Sequence, residues 1–194
     1  MEKREEILKA AQVLFSQFGL KKVTTDDISN MSSISKATIY KYYHNKKEIY
    51  GDVIRLEFEQ LMTMIRDAVE RETTVKGKFK AHLLTKMGKI GELLNFYRVT
   101  QDKWTEYFPY VEDVRQQFIA EEKEIVKNII KYGNKTGELN VKEVDLTAHI
   151  MVISLKSMEF PWAINEVGLT LADYVERMVM MLVEGLSNKS ERIG

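Results

Sequence analysis

The residues most able to bind a metal or move a proton are three histidines, His44, His82 and His149, which lie far apart in the chain. The chain has no cysteine, which excludes disulfides, thiolate zinc sites and a cysteine nucleophile. It also has no phosphate-binding glycine loop, no Gly-x-Ser-x-Gly elbow and no His-Glu-x-x-His zinc helix. Asp102 and Glu159 lack the sequence partner that marks acid–base catalysis. We therefore predict that the protein is not an enzyme and holds no metal or cofactor.

A different group of residues, between Thr24 and Lys47, is of the types that contact nucleic acid: lysine, tyrosine and threonine. Four lysines and no Asp or Glu lie in residues 28–47. A phosphate backbone would meet cations there without a repelling carboxylate. Taken alone, the lysines are equally typical of a solvated surface. The helix-start signals in the same stretch favour DNA binding.

These signals are three helix N-caps, which predict the helices that position the polar side chains. They are Thr24 with Asp27, Ser35 before a helix over residues 36–43, and Asn45 with Glu48. The linker of residues 32–34 is long enough to reverse the chain between two short helices. Ile28, Ile34 and Ile39 are spaced to form their shared apolar seam. The stretch is therefore predicted to be a helix-turn-helix.

The stretch resembles the DNA-binding signature of the TetR-type one-component transcriptional regulators. The matching residues are Thr24, Asp27, Ile28, Ile34, Ser35, Lys36, Thr38, Ile39, Tyr40, Tyr42, Tyr43, Lys46, Glu48 and Ile49. The resemblance extends over the first helix, at Ile7, Ala10, Ala11, Phe15 and Gly19. One departure is Ser33, where the family usually has a turn glycine. The turn must therefore tolerate a less favoured backbone conformation or be built slightly differently.

A recognition helix places its first turn nearest the base edges, which favours Lys36, Ala37, Thr38 and Tyr40 as base contacts. The resemblance implies backbone phosphate contacts by Thr24, Thr25, Tyr40, Tyr42 and Lys46, with Lys41 and His44 as further candidates. Tyr43 and Ile39 are expected in the core.

Hydrophobic periodicity predicts an all-α protein of about nine helices, and no strand pattern is present. The resemblance implies a three-helix head that is joined by a long helix to a larger helical body, which is expected to bind an effector and form a dimer. The predicted domains are residues 1–47, which bind DNA, and residues 48–194, the body. The first predicted helix covers residues 3–18 and ends at Gly19. After the two short helices of the helix-turn-helix, a long helix covers residues 46–70, and two shorter helices lie within residues 73–102, interrupted near Gly88 and Gly91. The remaining predicted helices cover residues 110–131, 142–165 and 171–187.

Charge is divided unevenly along the chain, although the formal net charge of all 194 residues is zero. Residues 1–50 carry a surplus of three positive charges, and the remainder carries the opposite surplus. The basic surplus thus coincides with the predicted head. The charged N-terminus and the short apolar runs predict a cytoplasmic protein without a membrane span.

The last predicted helix is apolar on more than one side, since eleven of the sixteen residues in 171–186 are apolar. A surface helix usually needs about three in seven. The alternative is the central buried helix of a monomer. Together with the family resemblance, the pattern predicts a homodimer in which the last two helices of each subunit form a four-helix bundle.

Aromatic and Met-rich segments of the body suit an apolar small-molecule effector. The candidate pocket residues are Tyr97, Arg98, Trp104, Tyr107, Phe108, His149, Met158, Glu159 and Trp162. Aromatic residues at helical spacing are also ordinary core residues. Pro161 interrupts a helical pattern, and a bend there could open room between helices.

The sequence thus predicts a TetR-like transcriptional regulator. The expected mechanism is repression, with a dimer released from a palindromic operator by a small, largely apolar effector. Activation is the open alternative, because the contacts do not reveal where the operator lies. The rival classes are a helical protein-interaction module and a small helical enzyme, neither of which would bind DNA.

Overall fold

The computed structural model describes residues 2–90, 108–155, 168 and 170–187. These residues form eight α-helices and no strand, which confirms the predicted all-α fold. The helices are α1 Glu2–Lys22, α2 Thr25–Ser32, α3 Lys36–Tyr42, α4 Lys46–Glu70, α5 Val75–Ile90, α6 Phe108–Thr136, α7 Val144–Leu155 and α8 Leu171–Leu186. None of these helices is long and apolar enough to cross a membrane.

The chain divides into two compact units. Among the described residues, one unit contains residues 2–60 and 108–117, and the other contains residues 61–90 and those from 118 onward. Helices α4 and α6 each contribute residues to both units. The predicted domain boundary after residue 47 lies at the start of α4 and remains a prediction.

Helix α1 supplies the core of the head. Ile7, Ala11 and Phe15 are fully buried, and the Phe15 ring meets the Tyr50 ring of α4 edge to face at a centroid distance of 5.2 Å. Gly19 leaves helical geometry, at φ 76° and ψ 157°. The helix was expected to end there, but it resumes after this kink and reaches Lys22.

Helix α5 runs through Gly88, so the predicted interruption at that glycine is wrong. A lone glycine weakens a helix by only about 1 kcal/mol relative to alanine. Packing outweighs that cost, because Val75, Phe79 and Leu83 recur every four residues along the helix and are all buried.

Helix α6 is longer than the predicted residues 110–131, because its turn-like C-terminal sequence is still helical up to Thr136. Gly137, at φ 80°, follows the end of the helix in the left-handed conformation that glycine tolerates. The Asn134 side chain then accepts a hydrogen bond from the Val141 amide at 2.9 Å and donates one to the Val141 carbonyl at 2.8 Å. These bonds close the connection towards α7.

Helix α8 begins with a capping box formed by Thr170 and Asp173. It packs against α5, where the Glu176 carboxylate pairs with the ammonium groups of Lys76 and Lys80. Its many apolar residues fall on more than one side, as predicted. Val175 and Val179 are buried, whereas other apolar residues of α8 face outward.

Candidate DNA-binding site

Helix α2 begins at a complete capping box. The Thr24 hydroxyl accepts a hydrogen bond from the Asp27 amide at 3.2 Å, and the Thr24 amide donates to the Asp27 carboxylate at 2.8 Å. Hydrogen bonds from the Thr24 hydroxyl and amide hold the pKa of Asp27 below its ordinary value. The predicted helix start is therefore confirmed, and it fixes the direction in which α2 leaves the loop.

The turn between α2 and α3 is built around Ser33, which has φ 56° and ψ 24°. This is the left-handed region that the absent glycine would have favoured. Two serine hydroxyls hold the turn, since Ser29 donates to the Ile34 carbonyl at 2.7 Å and Ser32 donates to the Ile28 carbonyl at 2.6 Å. Of the two alternatives that the sequence left open for this turn, the less favoured backbone conformation is the one present, and neighbouring side chains support it.

Helix α3 begins at Ser35, as predicted. The Ser35 hydroxyl accepts from the Thr38 amide at 3.3 Å and lies 2.9 Å from the Thr38 hydroxyl. The inner side of the motif is apolar, because Ile28 and Ile39 are fully buried and Ile34 is nearly so. This seam leaves the opposite side of α3 to solvent.

The outer face is formed by the side chains predicted to contact DNA. Those of Thr24, Lys36, Ala37, Tyr40, Lys41, Tyr42 and His44 are exposed, and those of Thr25, Thr38 and Lys46 are partly exposed. Tyr40 and Tyr42 are 50% and 45% exposed, which is unusual for large aromatic rings. The structure therefore brings the predicted contacts to the surface of one small motif. Contact with DNA by each of them remains a prediction.

An ion pair that the sequence analysis missed involves Lys36. Its ammonium lies 2.6 Å from the Asp26 carboxylate at the start of α2. The hydrogen bond to Asp26 raises the pKa of Lys36. Both side chains are largely exposed, and exposed ion pairs contribute little to stability. Lys36 can therefore exchange Asp26 for a DNA group.

Lys46 has a structural role that the sequence analysis did not foresee. Its ammonium donates to the carbonyls of Leu20 at 2.8 Å and Val23 at 2.7 Å, and a third carbonyl, that of Lys21, lies 3.4 Å away. A cation at the end of a helix satisfies free carbonyls and interacts favourably with the helix dipole. Lys46 therefore ties the first turn of α4 to the end of α1, and its predicted phosphate contact must be weighed against that role.

Tyr43 belongs to the core, as predicted, and is 4% exposed. Its hydroxyl donates to the Asp52 carboxylate of α4 at 3.0 Å. Asp52 also pairs with Arg4 of α1 and Arg55 of α4. Burial and the neighbouring Asp52 carboxylate raise the pKa of Tyr43. This charged cluster holds the end of α3 between α1 and α4.

Comparison with known proteins gives the same interpretation. The family described as bacterial regulatory proteins, tetR family, matches residues 7–53. The uncharacterized HTH-type transcriptional regulator YhgD of Bacillus subtilis is 23% identical over 96% of this chain and 98% of its own length. The matched stretch contains every helix-turn-helix residue described above.

Residues 7–53 carry the DNA-binding region of the tetR family. Two further comparisons agree with this assignment. The IcaR negative transcriptional regulator of the biofilm operon icaADBC in Staphylococcus epidermidis is 45% identical over 24% of this chain and 25% of its own length. The crystal structure of the transcriptional regulator FadR of Bacillus subtilis, in complex with stearoyl-CoA, is 18% identical and has a TM-score of 0.69 over 94% of this chain and 98% of FadR.

The predicted effector pocket falls mostly on residues outside those described. Tyr97, Arg98, Trp104, Tyr107, Met158, Glu159 and Trp162 lie there, and so does the predicted bend at Pro161. Phe108 begins helix α6. His149 lies on α7, and its side chain is exposed. The pocket remains a prediction.

Three buried polar residues of the body were missed as a group. His82 and Lys86 of α5 and Glu122 of α6 are each no more than 1% exposed. Their spacing offered no signal, because Glu122 is 36 residues from Lys86. The four-residue step from His82 to Lys86 predicts that these two share a helix face, but it does not predict their burial.

Proposed function

We propose that this TetR-type regulator is a repressor. In this proposal a homodimer binds a palindromic operator in the cytoplasm, and a small, largely apolar effector releases it. The outer face of α3 carries the proposal, because it presents cationic and aromatic side chains from a motif that is fixed by caps on both helices.

The proposed contacts divide into two kinds. Lys36, Ala37 and Thr38 are in the first turn of α3, which in helix-turn-helix proteins lies nearest the base edges. Tyr40 and Tyr42 have exposed rings and hydroxyl groups that suit backbone phosphates. The first kind should control sequence preference, and the second kind should control affinity for all sequences.

Exposed apolar side chains support the proposed dimer. Leu146, Ile150 and Ile153 recur at helical spacing along α7 and are 51%, 54% and 46% exposed. On α8, Met180 and Met181 are 44% and 74% exposed. Grouped large apolar residues on a surface are typical of protein interfaces. We propose that α7 and α8 of two copies form a four-helix bundle.

The relatives support repression and an apolar effector. IcaR is described as a negative regulator, and FadR, with the same fold, was solved with stearoyl-CoA. Helix α4 begins next to the DNA-binding motif and continues to Glu70 in the body as one element. An effector that favours one position of this helix would shift the population of DNA-competent dimers. Activation instead of repression depends on where the operator lies.

The first experiment selects DNA from a random oligonucleotide pool at low ionic strength. We expect a palindromic consensus, bound with an affinity that falls steeply with salt because phosphate contacts release counterions. Failure to select any sequence would overturn the proposal and favour a protein-interaction module.

Variants then test the two kinds of contact. Tyr40→Ala should weaken binding to all sequences about tenfold, the loss of roughly one good contact, whereas Lys36→Ala and Thr38→Ala should change the selected consensus. Lys135→Ala, at an exposed position near the end of α6, is the control and should change neither. Uniform loss from all three head variants would contradict the proposed division of roles.

The dimer is tested by sedimentation equilibrium of the full chain. The wild type should be dimeric at micromolar concentration, and Ile150→Glu combined with Met181→Glu should give monomers, because carboxylates would be buried in the interface. Met31→Glu places the same charge at an exposed position of the head and should remain dimeric. A monomeric wild type would remove the dimer from the proposal.

A further inference from the structure

The helix-turn-helix and the first turn of α4 contain three carboxylates, and two of them close helix starts. Asp27 accepts a hydrogen bond from the Thr24 amide at 2.8 Å, and Glu48 accepts one from a backbone amide at 2.9 Å before α4. The third carboxylate, that of Asp26, lies 2.6 Å from the Lys36 ammonium. Asp26 therefore has its partner on α3 and takes no part in a helix cap.

This ion pair places the Asp26 carboxylate near the predicted base contacts. Lys36 is in the first turn of α3, and the first turn of a recognition helix lies nearest the base edges in the major groove. A base atom that binds the Lys36 ammonium must therefore lie close to the carboxylate as well. The Asp26 side chain is 64% exposed, so solvent or DNA can reach it.

A carboxylate at this position opposes binding to the phosphate backbone. Affinity for DNA of any sequence comes from cations that replace the counterions of the phosphates. The negative charge of Asp26 cancels part of the attraction that Lys36 provides, and it repels nearby phosphates. The outer face of the motif is thus less suited to non-specific binding than its lysines alone indicate.

The Asp26–Lys36 pair presents a hydrogen-bond acceptor beside a donor. It does not have to separate in order to bind DNA, because the ammonium has three N–H groups and the carboxylate has two oxygens. In the major groove, guanine offers O6 and N7 as acceptors for lysine, and its partner cytosine offers the N4 amino group as a donor to a carboxylate. The pair therefore carries one suitable group for each base of a G·C pair.

We propose that Asp26 determines sequence specificity by reading a G·C base pair together with Lys36. Lys36 donates to the guanine, Asp26 accepts a hydrogen bond from N4 of the cytosine, and the carboxylate lowers the affinity for DNA that lacks this base pair. The inference rests on the proposed function, because it requires α3 to enter the major groove. It adds a base contact from α2, whereas the sequence analysis confined base contacts to α3.

The first test compares the full-length wild type with Asp26→Asn on the selected operator and on a scrambled duplex of the same length. Asn keeps the shape of the side chain and removes its charge. The ratio of operator affinity to scrambled-duplex affinity should fall at least about tenfold, which corresponds to 1.4 kcal/mol. An unchanged ratio would overturn the proposal.

The salt dependence of binding tests the role of the charge. In the proposed dimer Asp26→Asn removes two carboxylates, so the plot of log affinity against log salt for the scrambled duplex should steepen by about 1.8, or about 0.9 per copy. Asp26→Glu keeps the charge and should retain the wild-type slope. If Asp26→Glu has the steeper slope of Asp26→Asn, the charge does not have the proposed role.

Asp67→Asn is the matched control for the loss of a carboxylate. Asp67 is exposed on α4 and belongs to the other compact unit, which begins at residue 61. The same chemical change at this position should alter neither the affinity ratio nor the slope. If Asp67→Asn has the same effects as Asp26→Asn, they arise from net charge and the proposal fails.

Selection from the random pool identifies the base pair. Asp26→Asn and Lys36→Ala should each weaken the preference for G·C about tenfold at the same position of each half-site. Thr38→Ala should leave this position unchanged, because Thr38 is not part of the ion pair. If Asp26→Asn and Lys36→Ala relax different positions, the two residues do not read one base pair.

Thermal unfolding separates specificity from a structural role. An acid in the first turn of α2 can stabilise the helix through its dipole. In that case Asp26→Asn would lower the melting temperature and weaken binding to both duplexes by the same factor, which would contradict the proposal. Should Asp26→Asn fail to fold, Asp26→Ala gives the same measurements, because alanine favours the helix.

The wild type distinguishes failure of this inference from failure of the proposed function. If the wild type selects no operator at low ionic strength, the proposed function fails and the role of Asp26 fails with it. If an operator is selected and Asp26→Asn binds with the wild-type ratio, slope and consensus, DNA binding stands and only the role of Asp26 is wrong.

Discussion

The helix caps of the head and the buried ion pair of the body join polar groups over very different distances along the chain. In the head, Thr24 pairs with Asp27, and Ser35 pairs with Thr38, three residues on in each case. In the body, Lys86 meets Glu122 across 36 residues, and both are buried. Local pairs define where helices begin, whereas the distant pair joins two helices in a core. The first kind can be read from short sequence patterns, and the second kind needs the fold.

The largest expected effect follows from breaking the distant pair. Lys86→Met leaves the Glu122 carboxylate buried without its cation, which should cost about 3–5 kcal/mol of unfolding free energy. Lys80→Met is the matched control, because Lys80 lies on the same helix and its ion pair with Glu176 is partly exposed to solvent. This variant should change stability little. Urea unfolding of both variants makes the comparison, and equal losses would mean that burial does not distinguish the two pairs.

Acid should weaken the body through the same pair. The pKa of Glu122 is lowered from 4.5 to about 2 in the folded protein. Between pH 4.5 and about pH 2, Glu122 is therefore protonated in the unfolded chain and ionised in the folded chain. The stabilisation is complete above about pH 4.5 and is lost as the pH falls towards 2, with a total of up to about 3 kcal/mol. Unfolding free energy measured across this range should fall more steeply for the wild type than for Glu122→Gln. Parallel curves would show that Glu122 does not carry the effect.

Lys46→Met tests a contact of the head that, like the Lys86–Glu122 pair of the body, joins residues far apart in the sequence. Losing the ammonium leaves carbonyls at the end of α1 without a donor and should cost about 1 kcal/mol. Thermal unfolding of Lys46→Met beside Lys41→Met, whose side chain is exposed, gives the measurement. A loss of DNA binding without any loss of stability would favour the phosphate contact instead.

The smallest effect on stability is expected in the turn between α2 and α3, where the contacts join residues close in sequence. Ser33 has φ 56°, and glycine adopts this conformation without the penalty that other residues pay. Ser33→Gly should therefore stabilise the protein by up to about 1 kcal/mol, less the entropy that glycine adds to the unfolded chain. Ser32→Gly is the control and should destabilise the protein, because Ser32 lies in α2 and its hydroxyl donates to the Ile28 carbonyl. A fall in melting temperature for Ser33→Gly would show that the serine stabilises the turn.

Most of the head could be predicted from the sequence. Its caps and its apolar seam depend on neighbours within a few residues, and both were found as expected. The backbone at Ser33 has one of the two forms that the sequence left open. Lys46 and the Arg4–Asp52 pair were not predicted, because the carbonyl partners of Lys46 lie 23 to 26 residues away and Asp52 lies 48 residues from Arg4. The position of Lys46 beside α3 favoured a phosphate contact, whereas the fold places the ammonium at the end of α1.

The body was less predictable for a physical reason. Helix propensity suggested breaks at Gly88 and near residue 131, but buried side chains and the continuing helix override weak local preferences in α5 and α6. The polar cluster was missed because neither of its helices contains the whole group. Apolar surplus on the last helices was visible in the sequence, whereas the residues that remain exposed became clear only from the packing of α8 on α5.

Two residues in the first two turns of helix α4 bind the rest of the head. Lys46 donates to the Val23 carbonyl, and Asp52 pairs with Arg4 and accepts a hydrogen bond from Tyr43. Without these contacts, a movement of α4 would not be transmitted to α3. Because both contacts are present, rotation of α4 should move α1, α2 and α3 with it as a rigid body. In the proposed dimer, small angular changes of α4 would then alter the spacing between the two helix-turn-helix motifs without deforming either one.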